Sequence, residues 1–361
     1  MKILIIFILF AIYINGSDEQ MGGQIVFDSA WMKGDDSTYH NREIRRARVF
    51  IEGKATPNLE YEIEYSLNGN NEWKDVYLKH KTLNNLGIQV GNIKEPMGLE
   101  SLTSSKYNTF MERSLINTFM QSRKLGILGQ ANYDKGGHRG TISFGIFGKS
   151  LDKLFAKEED GTSIIGRITY ALIHSKDEII HIGASMGTTK YNNKSIKIST
   201  DAGSHLYDGS LIKAKIKGVD KTKRMGLEVA MVKGALSFQG EYIALTASNQ
   251  KDDYNFDGWY GQVSWFPTGE HKRYKAKSGK FSRTKLKNNG YLGAVELAFR
   301  VGKIRLTDKK KIPKEEVDIT LGLNYNPKKN IRLMTNYTFA EVTQPQSQKE
   351  HVIQIRGLYE F

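Results

Sequence analysis

Residues 351–361 read HVIQIRGLYEF, and the chain ends there on an aromatic residue. One set of alternate positions is Ile353, Ile355, Gly357, Tyr359 and Phe361; the other is Val352, Gln354, Arg356, Leu358 and Glu360. Successive side chains of a strand point to opposite faces, so this is a strand with one apolar and one mainly polar face, with a lapse at Leu358. A strand that ends a chain leaves an unpaired edge unless the sheet closes on itself.

The same alternation recurs along the chain. In 59–67, LEYEIEYSL, Tyr61, Ile63, Tyr65 and Leu67 oppose Glu60, Glu62, Glu64 and Ser66. In 258–266, GWYGQVSWF, Trp259, Val263 and Trp265 oppose Tyr260, Gln262 and Ser264. ITLGLNYNP (319–327) and IRLMTNYTFA (331–340) flank a short Pro-Lys-Lys-Asn turn. Such segments predict roughly sixteen strands, beginning near residues 24, 43, 59, 74, 86, 121, 138, 163, 179, 224, 235, 257, 289, 316, 331 and 350. Connections alternate between short (55–58, 134–137, 175–178, 233–234) and long (32–42, 97–120, 150–162, 187–223, 303–315). An even strand count with short turns on one side and long loops on the other describes an outer-membrane barrel. Segment 267–288 is the exception, because it is long yet falls on the short-turn side.

The chain has 361 residues, 39% of them hydrophobic, and no cysteine. Its mean hydropathy of −0.47 looks soluble, but a barrel that alternates lipid-facing and lumen-facing residues also averages low. A soluble sandwich alternates as well. Here, however, Trp259, Trp265, Tyr337, Tyr359 and Phe361 sit near the ends of apolar faces, as interfacial girdles require. Residues 1–16, MKILIIFILFAIYING, place one Lys before an apolar run and small residues after it, the layout of a signal peptide. The expected fold is therefore all-β: a transmembrane antiparallel barrel over residues 17–361, integral to the bacterial outer membrane.

Net charge is +14, which favours an anionic partner. Export makes small anions and outer-membrane lipids the expected partners, rather than nucleic acid. If apolar faces meet lipid, alternation turns Arg46, Arg48, Lys79, Arg167, Arg300, Arg332 and Arg356 inward, with Phe50 a misfit beside them. Guanidinium groups pair bidentately with phosphate or carboxylate, so a wall of them offers a passing anion successive binding points. Neutralisation by facing carboxylates is the competing reading, with Arg48 near Glu62 and Glu64. Segment 97–120 carries Ser104, Ser105, Lys106, Glu112 and Arg113, and is too long for a simple loop. Segment 267–288 holds eight cations against Glu270. Folded inward, it would add positive charge to the lumen; left outside, it is a solvated basic turn.

Nothing in the sequence supports an enzyme, a metal site or a cofactor. FGIFGKS (144–150) has Ser143 where a phosphate-binding loop needs glycine, and the eight histidines are scattered.

EIRRARVFIEGK, LGIQVGNIKEPMGLESLTSSKYNTFMERSL, GYLGAVELAFR and DITLGLNYNPKKNIRLMTNYTFAEV together resemble the phosphate-selective porin O and P family, in order and over nearly all of the mature chain. The resemblance implies a sixteen-stranded barrel, typically a homotrimer, with inward-folded segments, an arginine ladder and a lysine-containing anion site. It places Arg45, Arg46 and Arg48 near that ladder, and Ser104, Ser105 and Lys106 at the constriction loop. Lys275, Lys277 and Lys280 become the lysines of an inward-folding turn. Arg48 stands where relatives often carry an aromatic. The implied function is passage of small anions, phosphate or polyphosphate foremost, with a general-diffusion porin as the alternative. Phe361 would be read by the barrel assembly machinery.

Overall fold

The computed structural model describes residues 19–361 apart from 36–37, 70–71, 84, 155–160, 288–292, 308–312 and 345–346. The segment read as a signal peptide lies outside the described residues. The first twelve strands are β1 Gln20–Gly34, β2 Thr38–Thr56, β3 Leu59–Ser66, β4 Trp73–Leu83, β5 Leu86–Ile93, β6 Lys124–Lys135, β7 His138–Phe147, β8 Thr162–Ser175, β9 Glu178–Ser199, β10 Lys213–Lys233, β11 Leu236–Asn249 and β12 Asp253–Trp265. A small hairpin follows, β13 Arg273–Lys275 and β14 Lys280–Ser282. The last four are β15 Ala294–Thr307, β16 Pro313–Lys328, β17 Ile331–Gln344 and β18 Gln348–Glu360.

Sixteen of these strands form one closed antiparallel barrel, and β13–β14 stand apart from it. The seam joins β1 to β18 in register from Gln24↔Glu360 to Gly34↔Glu350. Beyond it, Gly23 and Phe361 exchange backbone hydrogen bonds of 2.9 and 3.2 Å. The C-terminal strand therefore has no free edge. Turns are as tight as the alternation demanded. Between β6 and β7, Gly136 and Gly137 both hold positive φ (59° and 83°), which a two-residue hairpin turn of this hand requires.

Ile353, Ile355, Tyr359 and Phe361 are exposed on the outer wall, while Gln354, Arg356 and Leu358 are buried within. The longest expected loop shrinks: of 187–223 only 200–212 is loop, because β9 and β10 run on past the membrane. Their upper halves alternate lysine with Ile196, Ile198, Ala214 and Ile216, and a lysine-rich strand looks like a loop when only its charges are weighed.

The lumen is not uniformly polar. In its extracellular half Ile243, Leu245, Phe256, Ile304, Leu306, Val342 and Val352 turn inward and pack with Leu211, Ile212, Ile116 and Phe119 from two infolded loops. These strands carry apolar residues on both faces there, one for lipid and one for a core. That core fills the β9–β12 and β15–β18 side and leaves open space against β2–β7.

Candidate anion pathway

The open space is a cavity of about 1610 Å³. Strand side chains form one wall, including Arg46, Arg48, Glu52, Glu62, Glu64, Asp75 and Lys79. The constriction segment adds Lys94, Ser104, Ser105, Lys106 and Arg113, and the hairpin region adds Arg273, Lys275, Lys280, Arg283 and Lys285. Fifteen Lys and Arg line it against five Asp and Glu.

A register shift explains why adjacent arginines serve the same side. Val26 pairs with Arg46 and Phe27 with Ile44, so Arg45 is the extra residue of a β-bulge. Arg45 makes two 3.2 Å hydrogen bonds to Glu112 and is not among the lining groups. Arg46 is 6% exposed, borders the cavity, and has no hydrogen-bond or ion-pair partner among the described residues. Alternation alone cannot separate these two roles.

Arg300, Arg332 and Arg356 do face inward, but they hold the constriction segment instead of lining the pathway. Arg300 donates to the Glu112 carbonyl at 3.1 Å and stacks 4.6 Å from the Phe110 ring centre. Arg332 donates to the Lys106 carbonyl at 2.9 Å. Arg356, 1% exposed, binds Asp28 and Glu112. Packed beneath a loop, these guanidinium groups are turned to the protein's own carbonyls and carboxylates. Two carboxylates complete the anchoring. Glu241 accepts the backbone N–H groups of Leu99 and Glu100, both at 2.8 Å, at the start of the helical turn Leu99–Leu102. Glu100 in turn accepts the Ser114 hydroxyl at 2.7 Å.

The basic segment folds inward. Tyr274 hydrogen-bonds His181 at 2.6 Å, Arg167 donates to the Gly279 carbonyl at 2.7 Å, and Phe281 packs with Leu99, Ile179 and Val232. Lys275 and Lys280 pair across the hairpin and line the cavity. Lys277 is exposed and does not; it contributes its backbone carbonyl, to Gln130. Arg167 both borders the cavity and pairs with Glu228 at 2.7 Å.

Neutralisation is partial. Arg48 approaches Glu64 at 3.5 Å, Arg123 binds Asp75 at 2.5 Å, and Lys106 lies 3.1 Å from Glu360. Glu62 accepts from Tyr77 at 2.8 Å and is not the partner of Arg48. Arg113 is satisfied by the carbonyls of Glu100 and Thr103 at 3.2 and 3.1 Å, so its charge stays uncompensated by contact. Lys94 likewise donates to the Ser101 carbonyl. Burial first, then the cations of Arg113 and Arg123, push the Lys94 ammonium well below the usual lysine range. Burial and the neighbouring Lys275 lower Lys280, against the pull of Asp75.

Lys94, Arg123, Arg273, Arg283 and Lys285 are lining cations that the strand pattern did not single out. Lys94 and Arg123 stand where the chain leaves the wall after β5 and rejoins it before β6. Their place at both ends of an infolded loop is the signal that was available. Uncompensated ammonium and guanidinium groups beside the Ser104 and Ser105 hydroxyls can replace an anion's water shell stepwise.

The chain matches the family "Phosphate-selective porin O and P" over residues 20–361. It is 25% identical over 327 residues to Porin O of Pseudomonas aeruginosa, covering 80% of this chain and 73% of that protein. Among solved structures, the anion-selective porin from Comamonas acidovorans superposes with a TM-score of 0.60 at 11% identity, covering 95% of this chain and 99% of the other. OmpT, an outer membrane protein of Vibrio cholerae, gives 0.60 at 12% identity over 96% and 99%. At such identities these structures speak for the barrel fold.

Proposed function

The chain belongs to the phosphate-selective porin O and P family and lies in the bacterial outer membrane, and from that premise we propose that its lumen passes small anions, with phosphate or polyphosphate preferred. The observation that carries the proposal is Arg46, a cation held inside the barrel at the cavity wall without a hydrogen-bond or ion-pair partner among the described residues, in a lining of fifteen cations and five acids. Holding an unpaired charge away from bulk water is costly, so the site is arranged for a counter-charge that arrives and leaves. Arg46, Arg113, Lys94, Lys275 and Lys280 form the pathway, Arg48, Lys106 and Arg123 belong to it in half-neutralised form, and Ser104 and Ser105 supply hydroxyls. Pairing of Arg48 and Arg123 with Glu64 and Asp75 favours the alternative, a general-diffusion porin with little preference among anions. The family premise also makes a homotrimer the expected assembly, with Phe361 presented to the assembly machinery.

Single-channel recording in planar bilayers separates the readings. Anion-over-cation permeability, with chloride current blocked by low phosphate, is the expected result. Anion preference without phosphate block points to general diffusion, and cation-selective current overturns the proposal.

A further inference from the structure

Outside the barrel, the upper halves of β9 and β10 present lysines to the surroundings in an arrangement that a free sheet does not favour. Lys197 is directly opposite Lys215, and Lys190 is directly opposite Lys221. Thr189, Ile198, Ala214 and Thr222, which alternate with them, are buried inside, so these lysines point outward. Lys213 and Lys223 extend the row along β10. Like charges directly opposed on one face of a sheet destabilise it. None of these six lysines has a carboxylate partner among the described residues.

On the β12 and β15–β18 side of the same rim, several outward cations are neutralised. Lys303 pairs with Glu315 at 2.9 Å, Arg305 with Asp257 at 2.6 Å, and Lys349 with Glu341 at 3.7 Å. The β9–β10 patch instead sets lysine directly against lysine with no carboxylate at hand among the described residues, so its counter-charge comes from outside the protein. Its position says from where. Met186 and Met225 face each other on the outer wall, 60% and 55% exposed, at the upper limit of the apolar band. The next outward position on β10 is Lys223, followed by the Lys221 and Lys190 pair. At about 3.3 Å per residue these begin about 7 Å beyond the methionines along the strand, at headgroup depth. The patch is at the end opposite the short turns, which is the extracellular end of such a barrel.

We propose that this patch binds the phosphate groups of an outer-leaflet glycolipid headgroup, with Lys190 and Lys221 at the membrane surface and Lys197 and Lys215 farther out along the saccharide. Basic side chains near an anionic headgroup layer gain from it, and the gain fades with salt. The site is on the outer wall and stands independently of what passes through the lumen.

The test uses the full chain purified in detergent, with lipopolysaccharide and its chemically dephosphorylated form as probes, at low and high salt. Intact lipopolysaccharide should bind more tightly than the dephosphorylated form, and less tightly at high salt. Replacing Lys190, Lys197, Lys215 and Lys221 together by Gln should weaken binding by about ten-fold or more, whereas the four Lys→Arg replacements should retain it. Lys303→Gln, at a cation already paired, should change nothing, and single-channel conductance should be the same in every variant. Equal binding of the two probes by the unaltered chain overturns the proposal, and that comparison decides even if the quadruple variant does not assemble. Equal binding by the Gln variant, or loss by the Arg variant equal to that of Gln, overturns it as well.

Discussion

Arg356 Nη2 lies 2.7 Å from Glu112 Oε1 across 244 residues of sequence. The same guanidinium holds both Asp28 oxygens, at 2.7 and 2.6 Å. One side chain thus ties the two strands of the barrel seam to the middle of the constriction segment. Glu112 also takes Arg45 from the bulge of β2. At one extreme an inward arginine of this barrel serves the protein's own carboxylates, as Arg356 does, and at the other it faces the pathway, as Arg46 does; mutation should tell these two apart.

Arg356→Ala should therefore act on the structure. It leaves Asp28 buried without its guanidinium partner and takes from Glu112 one of its two, and breaking a buried pair in this way costs about 3–5 kcal/mol. The expected signs are a lower thermal midpoint and a noisier open-channel current, from a loop that has lost its clamp. Unchanged stability with reduced phosphate block would instead place Arg356 in the pathway.

Arg46→Ala should do the reverse. No direct hydrogen bond or ion pair to a described residue is lost, only a longer-range attraction to Glu112, so thermal unfolding should shift little. A charged hydrogen bond is worth about 1.5–3 kcal/mol, so the phosphate concentration for half-block should rise about ten-fold or more. Titrating chloride current with phosphate in planar bilayers measures it.

This division marks how far the sequence could be read. Alternation in HVIQIRGLYEF and its fellows specified the wall, the strand count and the inward direction of Arg356, because side-chain direction follows from backbone geometry alone. The fate of Arg356 depends on Glu112, which reaches it only after a loop folds back across the lumen. The bulge at Arg45 was equally hidden, since one extra residue changes a parity reading without changing composition. The inward-turned Ile304, Leu306 and Val352 were hard to see for a related reason: a face that meets protein is as apolar as one that meets lipid.

Acid should release the constriction late. Burial raises the Glu112 carboxyl, but Arg45, Arg356 and Arg46 outweigh that and hold it well below the usual carboxylate range. A carboxylate depressed in the folded state contributes stability that is complete above the unfolded value of about 4.3 and disappears only as pH falls through the folded one. Current noise should then stay flat from neutral pH down to about 4, below the value at which an ordinary glutamate protonates. Glu112→Gln should be noisy at every pH. Noise that rises between pH 6 and 5 in the unaltered channel would contradict the clamp.

Alkali should weaken selectivity early. Lys94 and Lys280 are pushed below the usual lysine range by burial and by neighbouring cations, so they lose charge before an exposed lysine would. The anion-to-cation permeability ratio, read from reversal potentials under a salt gradient, should begin to fall at a lower pH than ordinary lysines near 10.4 would allow. Arg does not deprotonate at such pH, so the Lys94→Arg, Lys280→Arg double variant should flatten the curve. A ratio that falls equally in that variant would assign the titration elsewhere.

The hairpin offers the last prediction, because it is held by few contacts. Phe281 is its apolar anchor, 5% exposed against Leu99, Ile179, Ala230 and Val232, and Tyr274 adds the bond to His181. Phe281→Ala opens a cavity costing about 3–5 kcal/mol locally, more than a small hairpin of two three-residue strands can offset. The hairpin should leave the wall and take Lys275 and Lys280 with it, while the sixteen-stranded ladder stays closed. Conductance should rise, phosphate block should weaken as in a Lys275→Ala, Lys280→Ala double variant, and barrel melting should barely move. The double alanine variant separates the two contributions, since it removes the charges and leaves the hairpin in place. Weaker block with unchanged conductance is expected there, whereas equal conductance gains in both variants would show that the hairpin itself does not narrow the pathway.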